Sequence, residues 1–88
     1  MTTAPGTITT RLLLFASYAE LAGREEVMAT LPAPARVSDL LAWARASLPG
    51  GGSLPERPFV AVNRRHVRED SPLSDGDEVA LLPPMAGG

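Results

Sequence analysis

One stretch of the chain repeats its apolar residues at helical spacing over three turns. Val37, Leu40, Leu41, Ala44 and Leu48 form a single stripe. Pro32 and Pro34 fence it on one side, and Pro49 with Gly50, Gly51 and Gly52 on the other. The helix is expected over residues 38–48. Ser38 and Asp39 lie near its start, where a small oxygen acceptor and a negative charge suit the free N–H groups. Trp43, at the edge of the stripe, is expected to pack against the sheet or the Gly-rich loop. One amphipathic helix needs one sheet face to bury its stripe, so the rest of the chain has to supply that sheet.

Residues 7–15 read as a strand. Ile8, Leu12 and Leu14, with Thr10 between them, fall on one face; Thr9, Arg11, Leu13 and Phe15 fall on the other. Its last four residues are apolar on both faces, which suggests cover from the fold on one side and from something else on the other. Residues 16–22 are expected to form a short helical turn stopped by Gly23. Residues 25–31 alternate as a second strand, close enough to the first for an antiparallel pair, and Pro32 and Pro34 are expected to end its pairing. Residues 50–58 form a Gly/Ser/Pro loop that lacks the lysine of a phosphate cradle. After it come a short strand (59–62), a polar turn (63–66), a brief return to extended structure at Val67, a turn-rich segment (72–77) and a last strand (79–82). The first strand ends near the sheet centre, where the last can pair with it. The expected fold is α+β: a β-grasp, a mixed sheet packed on one main helix. Residues 1–6 are expected to be a disordered tail, 7–82 the domain, and 83–88 an extended C-terminal tail.

With 88 residues there is room for one domain and a small core. The chain has no cysteine, which excludes thiolate, disulfide and cysteine-ligated metal chemistry on its own side chains. It has a single histidine, His66, in a turn between arginines with no nucleophile or acid partner marked nearby, so no metal site or triad is expected. Asp75, Asp77 and Glu78 lack the spacing of a calcium loop and read as a turn. Glu25-Glu26 and Glu69-Asp70 read as solvated charge, as do Arg64 and Arg65, which can alternatively meet a partner's acids. Eight basic and ten acidic residues leave a net charge of −2, without the basic excess of a nucleic-acid binder. No apolar run is long enough for a membrane span, and the first seven residues lack the pattern of a signal peptide. A soluble, cytoplasmic domain is expected. Every basic residue is arginine. Codon bias toward arginine is the expected reason; the alternative is protection of an activated carboxyl end from ε-amines.

The chain's end is the candidate for chemistry. An apolar strand runs into Pro83-Pro84, then Met85, Ala86, Gly87 and Gly88. If the terminal carboxyl is the working group, it must reach another protein's active site. Proline keeps the exit stiff and limits the entropy lost on docking. Glycine slims the end for a narrow channel and leaves its carbonyl least hindered.

The chain resembles the small, sulfur-carrying subunits of molybdopterin synthase, within the ubiquitin-like sulfur carriers. The resemblance rests on Leu13-Leu14-Phe15-Ala16 with Glu20-Leu21-Ala22-Gly23, Val37 with Leu40, Ala61-Val62-Asn63, and above all the run from Pro72 to Gly88. It departs at Leu81 and Leu82, where family members often carry aromatic residues, and at the triple glycine 50–52. The resemblance implies that an E1-like enzyme adenylates Gly88 with ATP and magnesium, none of it held by this chain. A sulfur donor then makes the thiocarboxylate. The tail (Pro83, Pro84, Met85, Ala86, Gly87) carries it into the large catalytic subunit, which builds the dithiolene of molybdopterin from cyclic pyranopterin monophosphate. Apart from that sulfur the chain is not catalytic. Leu13, Phe15 and Leu82, with Met85, are expected to form the exposed apolar patch that docks partners. Three other readings stay open: a sulfur carrier for thiamine or another metabolite, a protein modifier joined to lysines through Gly88, and a binding module with an inert end.

Overall fold

A computed structural model describes residues 6–55 and 58–83. β1 (Thr7–Leu14) leads through a short helix, α1 (Ser17–Ala22), to β2 (Glu26–Pro32). A two-residue strand, β3 (Ala35–Arg36), precedes the main helix, α2 (Val37–Ser47). Then come a 3₁₀ turn (Gly51–Ser53), β4 (Phe59–Val62), β5 (Arg65–Val67), β6 (Pro72–Leu73) and β7 (Glu78–Leu82). Five strands form one sheet in the order β2-β1-β7-β4-β5. β1 and β7 are parallel, and every other neighbouring pair is antiparallel. A parallel pair requires a crossover, and α2 lies on that crossover. This is the mixed sheet on one helix that the apolar stripe demands.

The core forms where the two patterns meet. Leu12, Leu14, Val60, Val79 and Leu81 from the sheet face Val37, Leu40, Leu41 and Ala44 from α2, all buried. Trp43 packs against this cluster half-buried, as expected from its place at the stripe's edge. Thr10 is fully buried among these residues; its hydroxyl donates to the Ala29 carbonyl across the β1–β2 pair (3.5 Å).

Several boundaries differ from the sequence reading. α2 begins one residue earlier, and its first N–H groups are capped from outside: Val37 donates to the Ser71 carbonyl (2.9 Å) and Ser38 to that of Glu69 (2.8 Å). Asp39 reaches back instead, accepting the Arg36 N–H at 2.8 Å. Pro32 still pairs, opposite Thr7, and Ala35–Arg36 pairs with Pro72–Leu73 inside a segment read as turn alone. The polar turn is only Asn63 and Arg64, both at positive φ (50° and 72°), as a two-residue hairpin requires. Arg65 and His66 belong to β5, paired with Val62 and Ala61. The loop after α2 contains the 3₁₀ turn and buries Leu54. Two of its glycines have steric reasons. Gly50 sits at φ 69° against the Leu21 carbonyl, and a Cβ on Gly51 would overlap the carbonyl oxygens of Ala44 and Arg45. Among the described residues no helix is long and apolar enough to cross a membrane.

Candidate functional site: the tail exit and the outer sheet face

Because β1 and β7 run parallel, with Leu14 opposite Leu81, both strands end on the same side of the molecule. β1 ends at Leu14 and is followed by Phe15 and Ala16; β7 ends at Leu82 and is followed by Pro83. Of the expected tail, Pro83 is half-buried just past β7. Pro84, Met85, Ala86, Gly87 and Gly88 lie outside the described residues.

Period-two alternation divides the neighbouring side chains. Leu12, Leu14, Val79 and Leu81 go to the core, so Leu13 and Leu82 point to the face away from α2, where both are half-buried. Phe15 is 45% exposed. No second layer covers the end of β1 among the described residues. Register extends the apolar surface across the sheet: Leu13 neighbours Ala80, Ala80 neighbours Ala61, and Leu82 neighbours Phe59, itself 44% exposed. At the far edge His66 lies opposite Ala61, with its ring tilted against Phe59 at 5.5 Å between centroids. Leu13, Phe15 and Leu82 therefore share one margin with Ala80, Ala61 and Phe59. These last three were not singled out from the sequence. Residues 59–62 are apolar at every position, so only register shows that Phe59 and Ala61 meet Leu82 and Ala80. A groove bounded by Leu13, Phe15, Ala16, Ala19, Glu25 and Glu26 continues the surface toward α1.

Arg11 closes the apolar surface on its other side. Its guanidinium meets Glu26 at 3.1 Å and Glu78 at 3.4 Å, linking β2, β1 and β7. The hydrogen bond to Glu26, then its charge, raises the Arg11 pKa above its ordinary value. All three groups reach solvent, so the trio adds little stability.

The acidic cluster is occupied with backbone. Asp75 Oδ1 accepts the Thr9 N–H (2.7 Å). Asp77 accepts the Ser74 N–H (2.8 Å) and the Asn63 side-chain amide (2.9 Å). The Asn63 Oδ1 accepts the Glu78 N–H (3.0 Å). These bonds clasp the start of β7 to β1 and to the β4–β5 hairpin, as the turn reading expects. No cluster of three His, Asp or Glu side chains able to hold a metal occurs among the described residues.

A mixed five-stranded sheet on one main helix, with its central last strand ending beside an apolar face, defines the ubiquitin-like β-grasp carriers. The chain belongs to the ThiS family, whose model matches residues 12–88. It is 39% identical over 80 residues to a molybdopterin synthase sulfur carrier subunit of Chlamydomonas reinhardtii, covering 89% of this chain and 96% of the relative. The crystal structure of SAMP1 from Haloferax volcanii superposes with a TM-score of 0.77 at 30% identity, covering 91% of this chain and 99% of that one. A chain from the complex of subunits 1 and 2 of molybdopterin-converting factor of Helicobacter pylori shares the fold (TM-score 0.65, 23% identity, 92% and 100% covered).

Proposed function

We propose that this chain is the sulfur carrier of a molybdopterin synthase, with the Gly88 carboxyl as its working group. The observation that carries the reading is the parallel β1–β7 pair, which brings the end of β7, at Leu82 and Pro83, to the margin of an exposed apolar face. The family match through residue 88 and the sulfur carrier at 39% identity support it.

A carboxylate is a poor electrophile. An E1-like enzyme, using ATP and magnesium, joins it to AMP and expels pyrophosphate, so the carbonyl gains a leaving group. A sulfur donor delivers the equivalent of hydrosulfide: the C–S bond forms, the C–O bond to AMP breaks, and a thiocarboxylate remains. With no cysteine in the chain, this sulfur has no intramolecular thiol to exchange with. The loaded carrier then docks on the large synthase subunit through Leu13, Phe15 and Leu82, and residues 83–88 place the sulfur in that subunit's site. Stiffness at Pro83-Pro84 lowers the entropy lost as the tail threads. The partner supplies the pterin site and the remaining catalytic groups. The work is cytoplasmic, where ATP is at hand.

A second reading, attachment to lysines of other proteins, is favoured by the likeness to an archaeal protein named as a small modifier. Reconstitution separates the two. Loaded carrier, large subunit and cyclic pyranopterin monophosphate should yield molybdopterin in proportion to thiocarboxylate consumed. Failure to yield molybdopterin, together with isopeptide-linked products in the cell, would establish the modifier instead.

A further inference from the structure

The sheet has two edges, β2 and β5, and they are finished differently. β5 is three residues long and bears Arg65, with Arg64 before it and Arg68 after it. A short, charged strand is how proteins blunt an edge against pairing with another chain. β2 has seven residues, Glu26–Pro32, and Glu26 is its one charged side chain. Pro32 blunts only its far end. Between them stands Met28, at 58% the most exposed large apolar side chain among the described residues.

Register fixes which backbone groups of β2 are free. The Leu14 N–H donates to the Glu25 carbonyl (2.9 Å) and the Ala33 N–H to the Gly6 carbonyl (2.7 Å), one bond at each end of the β1–β2 pair. Bonded pairs alternate along an antiparallel ladder, so Val27, Ala29 and Leu31 aim their N–H and C=O groups at β1. Those of Glu26, Met28 and Thr30 point away from the sheet, where no further strand lies among the described residues.

We infer that a second copy of this chain pairs with this edge, β2 against β2, antiparallel about a twofold axis at Met28. Met28 then lies opposite its counterpart and Glu26 opposite Thr30 of the other copy, so every outward N–H and C=O from 26 to 30 has a partner. Glu26 stays bonded to its own Arg11 (3.1 Å), and the half-buried Val27 comes opposite the buried Ala29. The strand matches itself in this register alone. An axis on Glu26 sets two carboxylates opposite each other, which is unfavourable. One on Thr30 sets Met28 opposite Pro32, which has no N–H to give. An axis on Ala29 sets Glu26 opposite Pro32, and one on Val27 sets Thr30 opposite Arg24, outside the strand.

The twofold axis stands normal to the sheet, with both α2 helices on one side and both apolar margins on the other. β1 separates β2 from β7, so Leu82 stays uncovered in each copy and the two β7 ends face opposite directions. One dimer thus serves two receiving subunits at once. That consequence rests on the carrier reading; the pairing does not.

Sedimentation equilibrium of the full chain tests it. A single pair of short strands is a weak bond, so we expect the mass to rise from one chain toward two as concentration approaches about 1 mM. Met28→Lys folds, because Met28 is exposed, but sets two ammonium groups opposite each other and should weaken the dimer by about tenfold or more. Its affinity for the synthase large subunit should not change. Cross-linking fixes the register. The chain has no cysteine, so Met28→Cys introduces its only thiol, with the two Cα atoms about 5.5 Å apart, within disulfide reach. Diamide, which takes up the two hydrogens that the thiols lose, should link these chains. Thr30→Cys sets the thiols about 14 Å apart along the strands and should link far less. A chain that stays monomeric at the highest concentration, or links equally through both positions, overturns the inference. A monomer whose Met28→Lys variant loses affinity for the large subunit overturns it too, and assigns the edge to that partner.

Discussion

The two ends of the β1–β7 pair are built from opposite materials. At the start of β7, hydrogen bonds tie down each strand: Asp75 takes the Thr9 N–H, Gly76 donates to the Thr9 carbonyl (2.8 Å), Arg11 donates to the Asp77 carbonyl (2.9 Å), and Asn63 grips Asp77 and Glu78. At the other end Leu13 and Leu82 are half-buried and Phe15 is exposed. Burial there is incomplete, and a contiguous apolar surface left uncovered marks an interaction site. The clasped end ties β7 to its neighbours, and the open end leaves an apolar margin uncovered beside Leu82 and Pro83.

If this division of labour holds, substitutions at the two ends should affect different measurements. Leu82→Asp should have the largest effect. It puts a carboxylate at the centre of the docking margin, where hot-spot losses run to about 2–4 kcal/mol, so affinity for the large subunit should fall by about thirtyfold or more. Its circular dichroism should stay native; unchanged affinity in a folded variant would remove the patch from the account.

Asp77→Ala should do the reverse. It leaves the Ser74 N–H and the Asn63 amide without their acceptor, which costs about 1–3 kcal/mol in urea unfolding. Partner affinity, measured on the folded fraction, should not move. A loss of affinity matching that of Leu82→Asp would show that the two ends are not separable.

A smaller effect is expected at Tyr18 in α1, whose side chain is buried with no hydrogen-bond partner for its hydroxyl among the described residues. Tyr18→Phe removes that unsatisfied group and should stabilise the domain by about 1 kcal/mol. Burial also pushes the Tyr18 pKa above its ordinary value of 10.0. The folded state thus binds this proton more tightly than the unfolded state. The corresponding stability is complete below about pH 10 and is lost as pH rises through the folded-state value. Thermal melts from neutral to alkaline pH should show that decline in the wild type and a shallower one in Tyr18→Phe. Equal alkaline slopes would mean that the hydroxyl reaches water in the folded state and is not desolvated.

Strong local patterns made much of the fold legible. The α2 stripe, the alternation of Ile8, Thr10, Leu12 and Leu14, and the glycine stop at Gly23 each follow from a few neighbouring residues. β3 and β6 were not legible, because two residues carry no period and their pairing depends on where α2 and the 68–71 turn place them. The turn between β4 and β5 reads two residues too long in the sequence because its second position holds Arg64, where glycine would announce the turn. The triple glycine looked like an idiosyncrasy of the loop, yet Gly50 and Gly51 allow close packing against Leu21 and the end of α2. At the candidate site, alternation alone turned Leu13 and Phe15 outward. Joining Phe59, Ala61, Ala80 and His66 to that face needed cross-strand register, which no single strand encodes.

The central claim is that the folded domain holds out one reactive group, the carboxyl of Gly88. Intact mass after incubation with the activating enzyme, ATP and a sulfur donor tests it most directly, on the wild type, a chain lacking Gly88 and a chain extended by one residue. One extended residue moves the reacting carbon by about 3.3–3.6 Å, while a misplacement of about 1 Å already costs on the order of a hundredfold in rate. We expect the wild type to gain the oxygen-to-sulfur mass difference and both altered chains to stay unmodified while melting at the wild-type temperature. Conversion of the truncated chain at the normal rate would contradict the claim that Gly88 is the working end.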